Sequence, residues 1–261
     1  MKSFQSKIVW ITGASSGIGK ALAHEVAARG AKCMLTARNV DTLSKLREEI
    51  SQTGGTAFVY PGDVTDLKLM QDVVHEIEAD HGPIDMLVAN AGDNIFTKPE
   101  QFDTEEYMYL MNLNYGGVLR CIEAVLKGMI QRKEGHIVGM ASLAGFRGLP
   151  RAAAYGASKA AIIHFLESAW FHLRRLNVKV TIVNPGFVRT PLTDKNDFHM
   201  PFLTEPKKAA KIICDGLQKE KKEISFPIPF NWILKTVRII PYALYDFIIE
   251  QIWKRQEAAK A

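Results

Sequence analysis

Tyr155, Gly156, Ala157, Ser158 and Lys159 place a phenol and an ammonium four residues apart. On a helix that spacing sets both side chains on one face. A phenol titrates near pH 10, too high for useful proton exchange at neutral pH. A neighbouring ammonium favours the phenolate and brings that value down. The pair can therefore act as a general acid/base, although Tyr and Lys also meet by chance at this spacing on many helices. Ser142 lies thirteen residues before Tyr155, within Met140-Ala141-Ser142-Leu143-Ala144-Gly145. Its hydroxyl can hydrogen-bond a carbonyl oxygen or cap a local turn.

A second group of residues offers backbone chemistry. Ile11-Thr12-Gly13-Ala14-Ser15-Ser16-Gly17-Ile18-Gly19 follows an apolar burst and opens a helical pattern. Glycines there permit a tight turn, close approach to a pyrophosphate and close helix–strand packing. The free N–H groups of the new helix suit phosphates. The competing reading is an ordinary strand–helix turn. Further on, Thr36-Ala37-Arg38-Asn39 carries no carboxylate until Asp41. A carboxylate at that point would bind the ribose hydroxyls of NAD and repel a 2′-phosphate. Arg38 can instead fork onto a phosphate, or stand solvated at the start of a helix.

The elements that must position these groups alternate. Strand-length apolar bursts fall at 8–12, 33–37, 57–60, 84–89, 137–140 and 178–183. Helical periods fall at 20–30, 41–52, 66–81, 104–131, 152–176 and 205–218. Short apolar runs without alternation suit strands buried on both faces. The rhythm predicts an α/β chain with a Rossmann-type doubly wound, mostly parallel sheet of about seven strands and helices on both faces. No repeat or linker interrupts it, so residues 1–261 are expected to form one domain, with a loop at 187–206 and a helical tail at 224–255.

Composition bounds the function. Of 261 residues, 47% are hydrophobic and 23% charged, and the net charge is +5. The basic residues are scattered, which argues against nucleic acid and is compatible with an anionic small ligand. Cys33, Cys121 and Cys214 are far apart with no C-x-x-C, and read as buried apolar side chains in a reducing compartment. His164 and His172 are eight apart on a predicted helix without a third ligand, so no metal is expected. No secretory pattern opens the sequence and no window is long and apolar enough to cross a bilayer, so a cytoplasmic location is expected.

Together these motifs resemble the short-chain dehydrogenase/reductase family, in its single-domain NADP(H)-preferring type. The G-x-x-x-G-x-G spacing of Thr12–Gly19 is similar to that family's cofactor motif. The resemblance implies cofactor contacts from Gly13, Ser15, Ser16, Gly17, Ile18 and Gly19, and selection of NADP(H) by Arg38. It implies adenine contacts from Asp63 and Val64, although Asp63 also reads as a helix N-cap. Asn90-Ala91-Gly92 resembles the element closing the fourth strand, with Ala89 where the family often has another Asn. Pro185, Gly186, Val188 and Thr190 match the element that contacts the nicotinamide carboxamide and opens the substrate loop. The resemblance gives Tyr155 the acid/base role. Lys159 would support it and bind the nicotinamide ribose, and Ser142 would hold the carbonyl oxygen. Asn114 would bend its helix and hold a water leading to Lys159. Asn112 competes for that role, but Gly117 stands three residues after Asn114, as the family pattern requires.

The implied function is hydride transfer between NADP(H) and a carbonyl or secondary alcohol, in a homodimer or homotetramer built on helices 104–131 and 152–176. The alternative is a dinucleotide-binding sensor or scaffold without turnover, although such relatives typically lose the Tyr or Lys. Phe146, Leu149, Phe187, Phe198, Met200, Phe202 and Leu203 suggest a hydrophobic ketone or aldehyde: a 3-oxo lipid, a steroid-like ketone or a xenobiotic. In the tail, Trp232, Ile233, Thr236, Val237 and Ile240 would share one helical face, and Tyr245, Ile248, Ile249 and Ile252 would repeat the pattern after Pro241. That face is expected to close the pocket or pack on a partner subunit. The alternative is peripheral contact with membrane lipid.

Overall fold

A computed structural model describes residues 3–95, 97, 99–196, 198 and 200–258, and only the backbone of 252, 253 and 255–258. Among the described residues seven strands form one sheet: β1 (Ile8–Thr12), β2 (Lys32–Thr36), β3 (Thr56–Val59), β4 (Met86–Ala89), β5 (Gly135–Met140), β6 (Val178–Pro185) and β7 (Glu223–Phe226). Their order is β3-β2-β1-β4-β5-β6-β7, and every pair is parallel. Parallel neighbours need crossovers, and helices supply them. These are α1 (Gly17–Ala28), α2 (Val40–Gln52), α3 (Leu67–His81), α4 (Thr104–Leu110) with α5 (Gly117–Gln131), α6 (Ala153–Leu173) and α7 (Pro206–Gln218).

The period of two along each strand feeds two cores. Val9 and Ile11 of β1 join α1, α2 and α7 through Leu22, Val26, Leu46 and Ile213. Ile8 and Trp10 point the other way and meet α3, α5 and α6 through Met70, Val125 and Ile162. Both faces of β1 are apolar for this reason. The strand order reverses between β1 and β4, which opens a crevice at the C-terminal strand ends.

The structure corrects the reading of 224–255 as wholly helical. Glu223–Phe226 is β7, which pairs with β6 in the register Ile182↔Glu223 to Pro185↔Phe226. A four-residue strand beside Pro227 carries little sequence signal, and its pairing is set by the preceding crossover. Two helices follow, α8 (Ile228–Ile239) and α9 (Tyr242–Ala258). The apolar face of α8 does not close the pocket within the chain. Leu234 packs inward, and Lys235 donates from Nζ to Glu223 Oε2 at 2.6 Å. These anchors leave Trp232 66% and Ile233 51% exposed, alongside Ile228 and Ile239. On α9, Tyr245 is buried and donates its hydroxyl to the Gly148 carbonyl, while Tyr242, Leu244 and Phe247 face solvent. The side chain of Ile252 lies outside the described residues.

The loop between β6 and α7 is pinned at its root. Val188 bridges Thr204, the Arg189 N–H donates to the Thr204 carbonyl at 3.0 Å, and the Thr204 N–H donates to that of Phe187 at 2.9 Å. All three cysteines are buried and free. Among the described residues no His, Cys, Asp and Glu cluster could hold a metal, and no helix is long and apolar enough to cross a membrane.

Candidate active site

A cleft of about 410 Å³ lies at the C-terminal ends of the strands. Its floor is the turn between β1 and α1. Gly13 has φ +66°, and a Cβ there would lie 2.7 Å from Ala91 Cα. Gly17 has φ +54°, with a methyl of Thr190 3.0 Å from where its Cβ would stand. Only glycine meets both demands. Asn90 ties β4 to this turn. Its Nδ2 donates to the carbonyls of Thr12 at 3.0 Å and Gly13 at 3.2 Å, and its N–H donates to Thr12 Oγ1 at 3.1 Å. Gly19 does not line the cleft. A Cβ on it would fall 2.2 Å from the Gly13 carbonyl oxygen, so its part is to let α1 pack against the turn.

The N-terminus of α1 differs from those of α2, α3 and α4. Side chains of Asn39, Asp66 and Asp103 cap α2, α3 and α4. Ser16 makes no side-chain cap on α1, and the first turn holds no carboxylate. The first N–H groups of a helix need partners, and here they face a cleft lined by Ser15, Ser16, Gly17 and Ile18. These are the conditions for an anion. Arg38 lines the same cleft at the end of β2, with its side chain exposed. Asp63 and Val64 form the facing wall. Because Asp66 is the cap of α3, Asp63 is left to the cleft. Burial opposes its charge, but bonds from the N–H and hydroxyl of Thr65, with the fields of Arg38 and Arg120, hold its carboxyl below the usual range.

At the other end, Tyr155 and Lys159 come from the first turns of α6 and Ser142 from the end of β5; all three line the cleft. Lys159 is buried, and its Nζ donates to the Met140 carbonyl at 2.9 Å and lies 5.6 Å from the centre of the Tyr155 ring. Burial brings its pKa down to about 8. Burial pushes the Tyr155 phenol up, while a hydrogen bond with Ser142 works the other way. Ser142 Oγ accepts from the Ala144 N–H at 3.1 Å and reaches the Pro185 carbonyl at 3.4 Å. It therefore caps a turn and faces the cleft at once.

Asn114 sits in a π-helical segment, Met111–Gly116, that joins α4 to α5. Such single-turn widenings are frequent at functional sites. Asn114 is fully buried and does not line the cleft. Its Oδ1 accepts from the Asp93 N–H at 2.9 Å, and its Nδ2 donates to the Asp93 carbonyl and to Ser158 Oγ, both at 3.0 Å. Its amide thus fixes the chain that follows Gly92. A water would find only the second lone pair of Oδ1 or the main-chain carbonyl. Asn112 is exposed, and its Oδ1 accepts from Arg120 at 2.7 Å. Gly117 packs on Val64. Pro185, Gly186, Val188 and Thr190 complete the wall beside Ser142. The cleft also contains Asp93, Leu113, Pro191, Leu192, Thr193 and Lys195, which motif reading passed over. Asp93 was within reach, as the residue next to Asn90-Ala91-Gly92; Lys195 carried no signal.

A family model described as short chain dehydrogenase matches residues 7–200. The chain belongs to the short-chain dehydrogenase family. An uncharacterized oxidoreductase of Myxococcus xanthus is 37% identical over 246 residues, 94% of this chain and 97% of the relative. A fatty acyl-CoA reductase of Acinetobacter baylyi is 34% identical over 228 residues, covering 86% and 77% of the two chains. A solved metagenomic short-chain oxidoreductase in complex with NADP shares 31% identity, with TM-score 0.74 over 86% of this chain and 98% of its own. The chain is thus an oxidoreductase of the short-chain dehydrogenase type, a family with solved members in complex with NAD or NADP.

Proposed function

We propose that this short-chain dehydrogenase is an NADP(H)-dependent carbonyl reductase acting as one domain on a hydrophobic ketone or aldehyde. One observation carries the reading: Tyr155, Lys159 and Ser142 line the same cleft as the uncapped N-terminus of α1. The glycine cradle and that helix end fit a dinucleotide pyrophosphate. Gly13, Ser15, Ser16, Gly17 and Ile18 would hold it, with Asp63, Val64, Asn90, Ala91 and Gly92 along the adenosine half. Pro185, Gly186, Val188 and Thr190 would hold the carboxamide end. When bound, the dinucleotide supplies or takes up a hydride. Ser142 Oγ and Tyr155 Oη both donate to the substrate oxygen, and the Tyr155 proton moves onto it as the alcohol forms. The Lys159 ammonium stabilises the phenolate left behind. Asn114 holds the segment after Gly92 in place beside both.

Arg38 supports the choice of NADP(H). Ala37, Arg38 and Asn39 line the cleft without a carboxylate, and the Asn39 side chain is committed to capping α2. A charge-assisted bond to a 2′-phosphate contributes about 1.5–3 kcal/mol. Replacing Ala37→Asp together with Arg38→Ala should lower kcat/KM for NADPH by roughly 10- to 100-fold and raise it for NADH. A wild-type enzyme that already prefers NADH would end this assignment.

The substrate class is supported by a group of aromatic rings beside Gly186, which lines the cleft. Phe187 stacks on Phe230 with ring centres 5.8 Å apart, and Phe198 and Phe202 adjoin them. The Acinetobacter relative is named for a fatty acyl-CoA substrate. A series of aldehydes and ketones of increasing chain length should show kcat/KM rising with length.

Two apolar surfaces stand exposed. Phe102, Met108, Tyr109 and Phe171 lie on or beside α4 and α6, where the family resemblance puts subunit contact. The second is the outward face of α8 and α9. Arg238 and Lys254 accompany these apolar residues on α8 and α9, so lipid contact there would combine apolar insertion with attraction to anionic headgroups. Light scattering should give a multiple of the chain mass, reduced by Met108→Lys and unchanged by Trp232→Ser. Trp232→Ser should instead abolish sedimentation with phosphatidylcholine–phosphatidylglycerol vesicles. A monomeric wild type ends the oligomer reading, and a wild type that stays in the supernatant at low salt ends the lipid one.

A further inference from the structure

Asp93 and Lys195 are 102 positions apart in the chain, yet both line the dinucleotide cleft, one after β4 and the other in the loop after β6. Lys195 Nζ lies 3.6 Å from Asp93 Oδ1, so the pair joins the segment after β4 to the loop after β6. Each end is anchored differently. The main chain of Asp93 is held on both sides by the Asn114 amide, and its Oδ1 also accepts from the Asn94 N–H at 2.8 Å. Lys195 follows a compact turn in the loop after β6. There the Thr193 hydroxyl donates to the Val188 carbonyl at 2.7 Å, and the N–H groups of Thr193 and Asp194 both donate to the Thr190 carbonyl at 2.9 Å. Thr190 in turn touches the position facing Gly17. The fixed wall therefore carries the anion, and the surface loop carries the cation on a long flexible stem.

We propose that Asp93 and Lys195 form a clasp across the cleft that slows release of a bound dinucleotide. The proposal rests on the dinucleotide reading of the cleft. Side chains of the pair are 33% and 58% exposed, so the clasp is an exposed ion pair of modest strength. Its release effect should be about two- to fivefold and should fade with salt, because exposed pairs are screened. The pair acts on residence of the ligand, and neither residue touches the reacting atoms. Lys195 is in these terms a positioning residue. The competing role for Lys195 is a direct ligand to a phosphate, with Asp93 as its rival.

Stopped-flow displacement of NADPH from wild type, Lys195→Met, Asp93→Asn and the double variant separates the two. A clasp requires both single variants to release NADPH two- to fivefold faster. The double variant should go no faster than either, since the interaction is already lost. Lys195→Arg should restore the wild-type rate, and added salt should speed only wild type and Lys195→Arg. Asp93→Asn keeps the oxygen that accepts from Asn94, so it tests charge rather than loop shape. The clasp is overturned if the single variants change release in opposite directions, as a phosphate ligand demands, or if none changes it. A wild type that binds neither NADPH nor NADH overturns the dinucleotide reading itself and the clasp with it.

Discussion

Tyr155→Phe should leave a folded protein that still binds NADPH and has lost turnover, with kcat down by about 10²–10⁴-fold, the range spanned by a positioned acid or base. The substitution removes one oxygen and keeps the ring, so packing at the start of α6 is preserved. What disappears is the proton donor to the substrate oxygen. The electrostatics suit donation at neutral pH. Burial raises the Tyr155 pKa against the pull of Ser142, so the phenol keeps its proton before reaction. The nearby Lys159 Nζ is placed to stabilise the phenolate afterwards. Reduction should therefore proceed through neutral pH and decline as pH rises past about 8, where Lys159 loses its proton. Measuring kcat and dinucleotide affinity together decides the assignment. A Phe variant with most of the wild-type kcat removes Tyr155 from the chemistry, and one that fails to bind NADPH shows a structural role instead.

Much of this arrangement was legible from residue order alone, for physical reasons that differ by element. Buried parallel strands must be short and apolar, so β1 to β6 announce themselves as bursts. β7 does not, because Glu223–Phe226 is an edge strand that alternates polar and apolar residues, with Glu223 at its start tied up by Asn184, Ser225 and Lys235. The glycine turn was readable because two of its positions demand left-handed backbone, yet the separate part of Gly19 emerges only from its distance to the Gly13 carbonyl. The helix read as continuous from 104 to 131 contains the widened turn at Asn114, which no periodicity signals. The outward direction of the α8 face is not legible in its apolar pattern, because Leu234 and the Lys235–Glu223 ion pair decide the rotation. The Asp93–Lys195 contact had no local signature, because it depends on two loops meeting over the cleft.

Lys159→Met should abolish turnover and at the same time make the protein more stable. Lys159 is 4% exposed. Its nearest polar contact is the Met140 carbonyl, and no carboxylate contributes to its pKa, which burial alone lowers from 10.5 to about 8. Between those values the unfolded chain holds a proton that the folded chain has shed, so stability rises with pH across that window. Below about pH 8 the folded state carries the buried charge at full cost, about 3 kcal/mol at 1.36 kcal/mol per unit. Methionine fills similar space without the charge. It leaves the Met140 carbonyl without its donor, which costs about 1 kcal/mol. The expected net gain near pH 7 is about 2 kcal/mol, or roughly 5 °C in Tm for a chain of this size. Thermal melts at pH 7 and pH 10 supply the check: the variant should exceed wild type at pH 7, and the gap should shrink toward pH 10. A variant that melts below wild type at pH 7 would show that Lys159 holds the fold together. The opposite result marks it as a charge kept in an unfavourable place by what it does for Tyr155.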